Sequence, residues 1–235
     1  MGKFPVRVVL RWRINAARPV EQVVAEIAAS SWTTNRGDDW LRFGSFKVTL
    51  DGGQSVGTAY QRKPYGSFGR QLYGQTDPDA RGTLFIEPGK LYRIMSAARD
   101  KGWQLTAHVQ GGGAIDAPLD AFERLDRERA IAPSRSHAMH GSFMSEEALN
   151  RMQRMGVLVD VQPGWLHFDA PALKRVFGLE NMRYFFPLRS YVDRGIVVAG
   201  GSDHMIGHDK NTAVNAFNPF FNMWASITLR LARET

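Results

Sequence analysis

At 235 residues the chain is long enough for one large domain or two small ones, and 43% hydrophobic residues are ample for a core. Thirty Lys plus Arg against 23 Asp plus Glu give a net charge of +7. The basic residues are scattered, which gives little support to a nucleic-acid surface and suits an anionic small-molecule substrate equally well. The absence of cysteine excludes disulfides and thiolate metal sites. With no apolar run of membrane length and no signal-like segment in the opening residues, the expectation is a cytoplasmic protein without a membrane partner.

In chain order, residues 6–13 read as a β-branched strand behind Pro5. Pro19 opens a helix whose apolar positions Val20, Val23, Val24 and Ile27 keep helical spacing. Residues 46–51 alternate as a strand, with Phe46, Val48 and Leu50 on one face and Lys47, Thr49 and Asp51 on the other. Residues 52–83 read as one long loop, and Gln54, Tyr60, Arg62, Tyr65 and Arg70 are its candidate substrate contacts. A helix from Pro88 carries Leu91, Ile94, Met95 and Ala98 on one side and stops at Gly102. Residues 104–108 form a strand ending at His108, and a turn at Gly111-Gly112-Gly113 leads into a helix marked by Leu119, Phe122 and Leu125. A weaker strand covers 134–140, where His137 and His140, three apart, are expected on opposite faces. Ser145, Glu146 and Glu147 start a helix that Gly156 ends. Residues 157–161 form a strand halted by Pro163, and helical pieces follow around 171–178 and 187–194. A short buried strand at Ile196–Ala199 then delivers Ser202, Asp203 and His204.

Six strands with helices between nearly all of them predict a parallel α/β architecture and, without repeats or linkers, a single domain over 1–235. In such folds the chemistry sits at the C-terminal strand ends. Lys47, His108, His140 and Asp203 lie at or near the ends of four strands. Taken singly, each histidine reads as structural. As a set, two imidazoles and a carboxylate are the donors a borderline divalent ion such as zinc prefers. A lysine beside them repels a metal as an ammonium, and becomes a ligand only as the carbamate that CO₂ makes of it.

The blocks 46–52, 102–108, Arg135–His140, Val161-Gln162-Pro163 and 199–203 follow one another as they do in the amidohydrolase superfamily, and the chain resembles its family 3 branch nearly end to end. The resemblance implies a metal-dependent hydrolase of C–N bonds on a (β/α)₈ TIM barrel, working through a metal-activated water on a small-molecule substrate. It implies His108 and His140 as metal ligands, Lys47 as a carboxylated bridging ligand, and Asp203 as both a metal-site residue and the catalytic acid. The departures are equally specific. The family's opening His-x-His is missing, and the first strand here corresponds to the family's third. The expected fold is therefore a partial barrel of about six parallel strands with outer helices, an internal fragment that holds at most one divalent ion, zinc by its ligand types. Its open sheet edges are expected to drive self-association. Two other readings stand beside this one: a non-catalytic remnant that binds ligand or partner without turnover, and a phosphate site at Gly111-Gly112-Gly113.

Overall fold

The computed structural model describes residues 5–205, 207, 209, 213 and 215–228. Strand β1 (Val8–Arg13) leads to helix α1 (Val20–Ala29), then to β2 (Leu41–Thr49), α2 (Gly66–Tyr73), α3 (Pro88–Asp100) and β3 (Gln104–Val109). Helix α4 (Gly112–Glu128), β4 (His137–His140), α5 (Glu146–Met155), β5 (Leu158–Val161), α6 (Pro163–Phe177), α7 (Leu188–Asp193), β6 (Val198–Gly200) and α8 (Pro219–Thr228) follow. All five strand pairs are parallel and the sheet order is β1-β2-β3-β4-β5-β6. An order that never reverses is the singly wound pattern of a (β/α) barrel; doubly wound sheets turn back at a switch point. Six strands make a half-open barrel of this kind, as the alternation of elements predicts.

The core lies between the convex face of the sheet and the helices. Phe46 and Val48 of β2, Leu50 just after it, and Leu105, Ala107 and Val109 of β3 are all buried there, in one cluster with Leu91, Ile94 and Met95 of α3 and with Phe122 and Leu125 of α4. Trp12, Phe43 and Phe46 gather around Trp103, with ring centroids 5.4 to 6.3 Å from it. The polar residues of the same strands, Lys47, Thr49, Thr106 and His108, face the concave side, in register with one another.

The ends of the sheet are thinly covered. β1 leaves Val9 and Leu10 exposed, and Val197, just before β6, is 55% exposed. Beside β6 a cavity of about 1020 Å³, lined by Leu166, Phe186, Val192, Val198 and Ile227 among others, opens on the convex face. The last strand is therefore an edge strand, not the buried one expected, and it begins two residues later than predicted.

Other differences have local causes. β2 starts at Leu41 rather than Phe46, because Gly44 and Ser45 interrupt the apolar alternation without ending the pairing with β1, whose register shifts there. The stretch 52–83 contains α2 and a 3₁₀ turn at Gln54–Val56. Helix α6 starts at Pro163 directly after β5 and carries Pro171 inside it, so it covers the helix expected at 171–178 and extends it toward the site. Among the described residues no helix is long and apolar enough to cross a membrane.

Candidate active site

The concave rim at the C-terminal ends of β2 to β6 brings the predicted residues together. His108, on β3, points its Nδ1 at Nε2 of His140, 2.9 Å away. Their outer nitrogens face oxygen acceptors: His140 Nδ1 donates to Gln162 Oε1 at 2.5 Å, and His108 Nε2 lies 3.4 Å from the Gly52 carbonyl. With acceptors on the outside, the inner nitrogens are the lone-pair nitrogens unless one ring turns its proton inward. Burial pushes His108 down to about 4, with Lys47's positive charge adding to the effect and the Gly52 carbonyl opposing it. Burial, then the neighbouring His108, holds His140 well below the ordinary histidine range. Both rings are thus neutral at neutral pH.

His140 reaches this position by a backbone device. In register, Val109 pairs with His140 and Ala107 with Ala138, so plain alternation would send His140 into the outer core. A left-handed φ of 76° at His140, followed by 55° at Gly141, turns the ring to the concave side instead. His137, in register with Thr106 and Lys47, lies on that same concave face but lower in the barrel, within electrostatic reach of Arg11 and Asp160. The two histidines therefore do not face opposite ways. They differ in depth, and only His140 meets His108.

Lys47 is half-buried. Burial lowers its pKa, the carboxylate of Asp203 opposes that, and the charges of Arg11 and Arg13 add to it. Its charge is felt by His108, His140 and Asp203, so it lies within electrostatic reach of all three. Asp203 lies three residues beyond β6, with a φ of 53°. Burial raises its carboxyl pKa, Lys47 opposes, and Asp160 raises it further. Of the four predicted residues, His108 and His140 are in direct contact, and Lys47 and Asp203 lie within electrostatic reach of one another. Among the described residues, no group of three His, Asp or Glu side chains could hold a metal ion.

Four neighbours were not singled out from the sequence. Asp51, with a fully buried side chain, accepts N–H bonds from Tyr60 at 2.9 Å, Gln110 at 3.0 Å and Gly111 at 2.8 Å, tying the end of β2 to the start of α4. Its carboxylate is 3.7 Å from His108 Nε2, and because that ring is neutral the contact is not an ion pair. Trp165 stacks on His140 at 5.0 Å and 26°. Arg11 crosses the concave floor from β1 to reach Asp160 of β5 at 2.6 Å, a pairing 149 residues apart that no local pattern announces. Gln162 follows β5 directly, in the block 161–163 that carried the resemblance, but its role had no signal.

The loop residues offered as substrate contacts make internal bonds within the fold. Gln54 is held by Gln110 and Asp169, Tyr65 donates to the Ala59 carbonyl, Arg70 reaches the Thr76 carbonyl, and Arg62 makes a two-pronged pair with Asp116 at 2.7 and 2.8 Å. Tyr60 packs its ring under Arg81. The triple glycine is explained by close packing. A Cβ on Gly111 would lie 2.1 Å from the Tyr60 carbonyl, and the helix-start N–H groups of Gly111 and Gly112 already bond to Asp51 and Gln61. Two of the N–H donors that the phosphate reading needs are therefore already engaged.

The chain is thus a half-open, singly wound (β/α) barrel with two imidazoles, a lysine and a carboxylate toward its C-terminal rim. The model of the amidohydrolase family matches residues 2–235, and the chain belongs to that family. It is 27% identical over 164 residues to YtcJ of Bacillus subtilis, described as an amidohydrolase, covering 70% of this chain and 29% of that protein. It is 28% identical over 156 residues to the N-substituted formamide deformylase of Arthrobacter pascens, covering 66% and 26%. Among solved structures, an uncharacterized metal-dependent hydrolase from Pyrococcus furiosus aligns with a TM-score of 0.64 at 18% identity, covering 87% of this chain and 42% of that one. Another from Pyrococcus horikoshii aligns at 0.60 and 23%, covering 77% and 33%. The chain thus spans less than a third of the length of these curated relatives.

Proposed function

We propose that the chain carries the C-terminal rim of an amidohydrolase that cleaves C–N bonds of small, non-peptide amides with the help of one divalent ion. The observation that supports this most is the pair of neutral imidazoles whose inner nitrogens face each other at 2.9 Å while oxygen acceptors hold the outer ones. Metal-ligating histidines are oriented in this way, with the second nitrogen hydrogen-bonded. The donors fit such an ion: His108, His140 and Lys47, the last as its carbamate, would hold it, and the nitrogen-rich set points to zinc. When bound, it supplies Lewis acidity that polarises a carbonyl and acidifies water. The chain's own contribution is proton handling: Asp203, its carboxyl pKa raised by burial, takes a proton from the attacking water and delivers it to the leaving nitrogen. The relative named N-substituted formamide deformylase supports the choice of bond. The lack of cysteine fits a cytosolic setting.

A second reading, a remnant that binds without turnover, draws on the described residues holding no group of three His, Asp or Glu side chains that could hold a metal. Hydrolysis of a panel of N-substituted formamides and acyl amines, before and after chelation and metal restoration, decides between them. Chelator-sensitive release of amine that Asp203→Asn abolishes supports the enzyme; metal uptake without release of amine supports the remnant.

A further inference from the structure

Asn215 holds two of these elements at once. Its Oδ1 accepts the indole N–H of Trp165 at 2.7 Å, and its Nδ2 donates to the Asp203 carbonyl at 2.8 Å. Its own carbonyl lies 2.9 Å from His204 Nδ1. The amide orientation follows from chemistry: an indole can only donate and a backbone carbonyl can only accept, so oxygen must face Trp165 and nitrogen Asp203. Trp165, 7% exposed, stacks on His140, and Asp203 sits at a positive φ that a non-glycine residue keeps where its surroundings hold it.

We infer that Asn215 is a positioning residue that fixes the Asp203 backbone and, through Trp165, the His140 ring as one unit. This rests on the roles given above to His140 and Asp203. No other residue type of similar size supplies a donor and an acceptor in one rigid plane, so leucine removes both arms. Phenylalanine at 165 keeps an aromatic face for His140 but removes the link to Asn215, leaving the Asp203 arm intact.

Cobalt(II) titration of the full chain, followed by its visible bands, provides the probe. Asn215→Leu and Trp165→Phe are each expected to weaken cobalt binding about tenfold, the scale on which outer partners of metal-bound histidines act. The double variant should bind no more weakly than Asn215→Leu alone, because both substitutions cut one link. Hydrogen exchange over 201–205 in the metal-free chain should rise in Asn215→Leu and not in Trp165→Phe. Unchanged cobalt affinity with a lowered melting temperature would overturn the inference and leave Asn215 structural; so would unchanged exchange in Asn215→Leu. If the wild-type chain binds no cobalt, or His140→Ala binds it as tightly, the reading of the site itself fails, and this inference with it.

Discussion

Removing the Asp51 carboxylate tests whether the end of β2 is pinned as the hydrogen bonds indicate. The side chain is fully buried and satisfies the N–H groups of Tyr60, Gln110 and Gly111, which belong to two different segments. In Asp51→Ala all three donors lose their partner. Each orphaned buried N–H costs about 1–3 kcal/mol, and water entering the space left by the carboxylate recovers part of that, so the expected loss is about 3–5 kcal/mol. Asp51→Asn keeps one acceptor oxygen but turns an NH₂ toward a donor, and should lose about 1–3 kcal/mol. Urea unfolding followed by far-UV circular dichroism at neutral pH measures both, with m-values compared to confirm that the same transition is seen. The ordering wild type, Asn, Ala is the signature of the three-donor arrangement. A loss below about 1 kcal/mol in Asp51→Ala would show that the carboxylate does not organise this corner.

Three further outcomes are expected. His137 is buried neutral, pushed by burial from 6.5 to about 4 with Arg11 adding to the effect. The unfolded chain therefore binds the extra proton between those values, and stability falls as pH drops from about 6.5 to about 4, by up to about 3 kcal/mol from this group; His137→Phe should flatten that part of the urea-midpoint profile, and an unchanged slope would count against it. Gly111→Ala, at an ordinary φ, places its Cβ 2.1 Å from the Tyr60 carbonyl, so a loss of about 1–3 kcal/mol is expected in thermal unfolding and a neutral result would mean the loop moves freely away. Because β1 and β6 are open edges flanked by exposed Val6, Val9, Leu10 and Val197, the chain is expected to self-associate, and light scattering that reports a stable monomer across concentrations would contradict this.

Much of the scaffold was legible because its signals are local. Phe46-Lys47-Val48-Thr49-Leu50 alternates, Leu91, Ile94, Met95 and Ala98 keep helical spacing, and Ser145 caps α5 by accepting from Ala148 N. What was not legible depends on the assembled chain. The depth of His137 and the turn of His140 are set by sheet register and by one left-handed backbone angle, which alternation alone cannot foresee. β6 reads as a buried strand by composition, and lies at an edge because no described element pairs with it beyond Gly200. Asp51 reads only as a residue on the polar face of its strand; the donors that surround it come from up to 60 residues away. Arg11 and Asp160 meet only because the sheet curves.

That His108, His140 and Lys47 hold a single divalent ion is tested by metal content per chain, measured by elemental analysis. After metal loading and dialysis the wild-type chain should retain up to one zinc; His140→Ala, His108→Ala and Lys47→Ala should retain essentially none, and His137→Ala, deeper in the barrel, should retain the wild-type amount. Equal loss in His137→Ala and His140→Ala, or a wild-type chain that retains no metal, would contradict it.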